Sequence, residues 1–108
     1  MTSSKGGTNA NKDVIYIDVD DEITAIIDKV QDSGKKIVAL VLPKRATMLQ
    51  SIVNMKLLKR AAGDDKKNLV LITSESSLMP LAGNVGIHVA KSLNSKPEVP
   101  DVPDNTLG

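Results

Sequence analysis

The sequence predicts an α/β fold, a small three-layer α/β/α Rossmann-like arrangement of four mainly parallel strands in the order 2-1-3-4. Four short apolar, β-favouring runs lie near residues 14–19, 37–42, 69–73 and 87–90. The segments between them carry apolar residues at helical spacing, and Gly, Pro, Asp and Ser mark the joins. Strands that alternate with helices need crossovers, which are right-handed and give a parallel sheet with helices on both faces. The order itself rests on analogy with doubly wound folds.

The chain has 108 residues, of which 41% are hydrophobic and 25% charged, ordinary values for one globular domain. Residues 1–12 read as a flexible leader, rich in Ser, Gly, Thr and Asn, residues 13–92 as the domain, and residues 93–108 as a proline-punctuated linker or tail.

Within the domain, Val14-Ile15-Tyr16-Ile17-Asp18-Val19 forms the first strand and Asp20 or Asp21 caps the helix that follows. Ile23, Ile26, Ile27 and Val30 give that helix one apolar face, and Gly34 supplies a left-handed stop. Ile37 to Leu42 is a continuous apolar strand ended by Pro43. A helix spans about 47–62, with Leu49, Val53, Leu57, Leu58 and Ala61 towards the core and Gly63-Asp64-Asp65 closing it. Asn68 to Thr73 is the third strand. A short helix with Pro80 in its first turn runs to Asn84, and Gly86 ends it before Ile87-His88-Val89-Ala90. In the tail, Pro97, Pro100 and Pro103 recur every third residue, as in an extended polyproline II segment.

Composition excludes several kinds of chemistry. With no cysteine there is no disulfide, thiolate nucleophile or cysteine-ligated metal, which fits a reducing compartment. Tyr16 is the only aromatic residue, so the stacking platforms of single-strand and RNA binders are missing, and the net charge of +1 argues against nucleic acid as a partner. No glycine-rich phosphate loop follows a strand, and no G-x-S-x-G elbow accompanies Ser74, Ser76, Ser77 and His88. A receiver-type phosphotransfer site is also excluded, because no aspartate ends a central strand. Met48, Met55 and Met79 read as adaptable core filling. The sequence offers no catalytic residue, no metal site and no cofactor site.

A ligand in an open parallel sheet binds beyond the carboxyl ends of the strands, near a switch in strand order. That rim places Asp18, Asp20 and Asp21 after the first strand and Lys44 and Arg45 after the second, with Thr73, Ser74 and Ser76 after the third and Lys91 after the fourth. Acids, bases and hydroxyls at one edge suit a nucleotide or phosphorylated ligand, although the same residues also serve as ordinary caps.

Charge is unevenly distributed. Seven of the thirteen acids fall between Asp13 and Asp32, and seven of the fourteen Lys and Arg between Lys44 and Lys67. Two faces of opposite sign follow, suited to a protein partner, to self-association, or to an anionic membrane surface.

Three stretches, Val19-Asp-Asp-Glu-Ile-Thr24, Val38-Ala-Leu-Val-Leu-Pro-Lys-Arg45 with residues 51–62, and residues 69–73 through 81–89, resemble the N-terminal cytoplasmic domain of large bacterial single-pass membrane proteins, some carrying a phage baseplate J-like description. The resemblance implies a cytoplasmic, non-enzymatic interaction or sensor domain, tethered through a Pro-rich linker to a membrane-anchored remainder. It carries over no catalytic residue.

Overall fold

In a computed structural model, which describes residues 12–100, each apolar run forms a strand and each amphipathic segment a helix. The elements are β1 (Lys12–Tyr16), α1 (Ile23–Asp32), β2 (Ile37–Val41), α2 (Ile52–Asp64), β3 (Asn68–Ile72), α3 (Met79–Val85) and β4 (His88–Ala90). Short 3₁₀ turns at Thr47–Leu49 and Ser76–Leu78 lead into α2 and α3. The expectations for residues 1–11 and for Pro103 fall outside the described residues.

All three strand pairs are parallel, with Val14 opposite Ala39, Ala39 opposite Val70, and Val70 opposite His88. The order is β1-β2-β3-β4, which corrects the expected 2-1-3-4. Each crossover therefore steps to the next strand in the same direction, and crossovers of one hand then place every helix on the same face. The core reflects this. Ile26 and Val30 of α1, Met55, Leu58 and Ala62 of α2, and Ala82 of α3 bury against Val38, Leu40, Leu69, Leu71 and Val89. Ala39, Val70, Ile72 and Ala90 point the other way, joined among the described residues by Val14, Ile37 and Val41. The fold is thus two layers among the described residues, not the expected three.

Local chemistry sets the boundaries of the elements. β1 starts and ends two or three residues earlier than its apolar run implied, because Asp18 to Asp21 close a turn, with the Asp21 N–H donating to the Asp18 carbonyl at 3.0 Å. Ile17 still donates to Val41 at 2.9 Å, so the ladder fades rather than stops. Ser51 caps α2 by accepting from the Asn54 N–H at 3.3 Å, and the Asn54 amide donates to the Met48 carbonyl at 2.9 Å, which holds the preceding 3₁₀ turn.

Gly34 is not left-handed, and Ser33 ends α1 with an extended backbone. Gly63 stays helical, so it does not close α2. The left-handed residue after α2 is Lys66, at φ 57°, with Lys67 N–H bonded to Ala62 O at 2.8 Å and Lys66 N–H to Gly63 O at 2.9 Å. The same pattern ends α3 at Gly86, as expected.

After β4 the chain turns back, and Glu98 pairs antiparallel with Val89 through two backbone bonds of 2.7 and 3.0 Å. The outer edge of β4 is capped by the chain's own tail at this point. No helix among the described residues is long and apolar enough to cross a membrane.

Candidate functional site

The topology brings the predicted rim residues to one edge, where only Asp21 and Thr73 make side-chain hydrogen bonds among the described residues. Asp21 accepts from the Asp18 N–H at 2.8 Å and from Lys29 Nζ at 2.9 Å. The hydrogen bond from Lys29, then that from the Asp18 backbone, holds its carboxyl below the usual aspartate range. Asp21 is therefore a staple between the β1–α1 turn and the first two turns of α1. It does not cap the helix as expected: the N-cap is Glu22, which makes no capping side-chain bond.

Thr73 is buried, and its Oγ1 accepts from the Glu75 N–H at 3.0 Å, shaping the loop before α3. Asp18, Asp20, Lys44, Arg45, Ser74, Ser76 and Lys91 are exposed, and their side chains make no hydrogen bond among the described residues. No group of three His, Asp or Glu there can hold a metal. A sheet wound in one direction also lacks the reversal of strand order that opens a crevice in doubly wound folds.

The outer surface of the helix layer has a clearer chemical character. α1 exposes Asp28 and Asp32, with Glu22 at its N-cap, and the neighbouring α2 exposes Lys56 and Arg60, with Asp64 in its last turn. None of these six side chains forms an ion pair among the described residues. Beside the two bases on the same helix lie Val53, 61% exposed, and Leu57, 41% exposed. The sequence reading placed both towards the core. The helix instead buries Met55, Leu58, Ala61 and Ala62, spaced at i, i+3, i+6 and i+7, which turns position 53 outward, about 200° from Met55.

A small cavity of about 100 Å³ opens at the amino ends of β3 and β4, the sheet edge opposite the predicted rim. Lys59, Lys67, Asn68 and His88 line it, together with Ala62, Leu69, Gly86 and Ile87. Lys59 Nζ donates to the Gly86 carbonyl at 2.9 Å. Lys67 Nζ caps the carboxyl end of α1, donating to Val30 O at 2.8 Å and Gln31 O at 2.9 Å, and it also meets Asp65 at 3.4 Å. Nothing in the sequence pattern marks these residues as a group, since they come together only through the register of β3 and β4 and the packing of α2.

No protein-family model, no curated protein and no solved structure matches this chain.

Proposed function

We propose that the protein is a non-enzymatic interaction module whose working surface is the outer face of α1 and α2, and that its partner on that face is a second copy of the same chain. The observation that carries this reading is the placement of unpaired acids on α1 and unpaired bases on the adjacent α2, with two exposed apolar residues beside the bases.

A two-fold axis lying between α1 and α2 and parallel to them sets α1 of each copy on α2 of the other. Each acidic strip then meets a basic one, twice, in an isologous contact. The other in-plane axis sets acid on acid. A flat anionic membrane is a poorer match, because it faces the acids of α1 together with the bases of α2.

The face is small. Helices of 10 and 13 residues, rising ~1.5 Å per residue and packed ~10 Å apart, cover on the order of 400 Å². Standard interfaces bury about 800 Å² per partner, so association is weak and sensitive to salt. In a membrane-tethered protein of the kind the chain resembles, two-dimensional confinement would supply the concentration such an interface needs.

Sedimentation equilibrium at low and high salt tests the proposal, alongside co-sedimentation with vesicles containing anionic lipid. The reading predicts a dimer at low salt that dissociates as salt rises and that the Lys56→Glu, Arg60→Glu variant does not form. A monomer at every concentration and salt overturns it, as does vesicle binding that depends on Lys56 and Arg60 in the absence of any dimer.

A further inference from the structure

We propose that residues 100–104 lie as a polyproline II strap across the sheet face that carries no helix, with Pro100, Val102 and Pro103 set on Ala39, Val70, Ile72 and Ala90. This face is the reverse of the sheet from the α1–α2 surface and does not depend on it.

The burial of that face calls for a cover. All three helices pack on the opposite side of the sheet, yet Ala39, Val70, Ile72 and Ala90 are 0, 7, 8 and 4% exposed. Such values belong to strands enclosed on both faces. Residues 91–99 do not enclose them, being exposed throughout. Tyr16, on the same side of the edge strand β1, is 67% exposed, so the cover spans β4, β3 and β2 and stops short of the end of β1.

Sequence and reach single out residues 100–104. The chain reads Glu98-Val99-Pro100-Asp101-Val102-Pro103-Asp104, a repeat of acid, valine and proline. Polyproline II has three residues per turn, so the acids line one edge of the strap and valines and prolines the other two. One edge suits water and two suit an apolar sheet. The bridge from Glu98 to Val89 delivers the chain to the outer edge of β4, and Pro100 beside it is already half-buried. Four residues at roughly 3.1 Å each span about 12 Å, against roughly 10 Å for the two strand spacings from β4 to β2. Pro100 and Pro103 also lack the N–H groups that a sheet face, offering no ladder partners, would leave unpaired. Residues 1–11, by contrast, hold only Met1 and Ala10 as apolar side chains.

The test is paramagnetic broadening of amide signals in the whole chain, which has no cysteine of its own, at high salt so that the α1–α2 contact plays no part. A nitroxide on Asp104→Cys, on the water-facing edge of the strap, should reduce the amide signals of Ala39, Val70 and Ile72 by more than half and those of Lys56 and Arg60 far less. Adding Val102→Asp, which puts a charge on a sheet-facing edge, should restore the signals, whereas adding Asp101→Asn should not. Broadening of the same amides from a nitroxide on Ser4→Cys but not from one on Asp104→Cys overturns the proposal in favour of residues 1–11. Broadening that arises only between a nitroxide-labelled chain and a separate ¹⁵N-labelled one assigns the face to a second copy and overturns it too. A pattern that Val102→Asp leaves unchanged, or no broadening at all, has the same effect.

Discussion

Two side chains show how much of this fold is set by single contacts. Asp21 joins the Asp18 N–H to Lys29 Nζ, and both contacts favour its ionised form. Because its folded pKa is lowered, its contribution is complete above the unfolded value and is lost as pH falls through the folded one. Asp21→Asn should therefore be less stable than the wild type near neutral pH, with the gap closing in acid, as urea unfolding across the pH range would show. Lys66 carries the opposite sign of effect. It holds a left-handed conformation that costs a side-chain-bearing residue roughly 1–2 kcal/mol, against roughly 0.5–1 kcal/mol of extra chain entropy lost by glycine. Lys66→Gly should gain about 0.5–1 kcal/mol in urea denaturation. The sequence pointed to Gly34 for a left-handed stop, to Gly63-Asp64-Asp65 for the close of α2 and to Gly86 for the end of α3; of these glycines only Gly86 is left-handed, because the residue that turns is chosen by where the helix hydrogen bonds run out rather than by where a glycine stands.

The elements were legible because each repeats a simple period: four apolar runs gave four strands, and the spacing of Ile26 and Val30 gave the buried face of α1. α2 was legible as a helix but not in its start or its orientation. Its apolar residues lie on both sides, so Leu49 and Val53 drew the reading into one long helix, whereas the Ser51 cap starts α2 afresh after a 3₁₀ turn. Ser51→Ala should cost about 1 kcal/mol. At Glu22, which caps α1 without a side-chain bond, substitution by Ser should stabilise by roughly 0.5–1 kcal/mol. The orientation of α2 yields a sharper contrast. Leu58 is fully buried and Leu58→Ala should cost about 2–5 kcal/mol, while Val53→Ala, on the exposed side, should stay within about 0.5 kcal/mol. Comparing the urea midpoints of the two variants checks which face is the core.

For the whole molecule, periodicity identified the α/β class and the parallel sheet but could not supply the strand order. A buried strand reads as a continuous apolar run whichever strand lies beside it and whatever covers its second face, so Ala39 and Val70 gave no sign that all three helices pack on the other side. The expected crevice at the rim rested on the same analogy, and the order β1-β2-β3-β4 has no reversal there. Charge segregation, by contrast, was visible in the sequence, and the fold places part of it, Asp28 and Asp32 on α1 and Lys56 and Arg60 on α2, on adjacent helices. The most direct measurement of what that arrangement does is a mixing experiment by sedimentation equilibrium. One variant carries Lys56→Glu and Arg60→Glu, and the other Asp28→Lys and Asp32→Lys. In the two-fold contact each variant opposes like charges when it meets itself, and opposite charges at both helix pairs when it meets the other. The account predicts that each is monomeric alone and that an equimolar mixture forms a salt-sensitive heterodimer. Self-association of either variant at the wild-type level, or a mixture that stays monomeric at low salt, would contradict it.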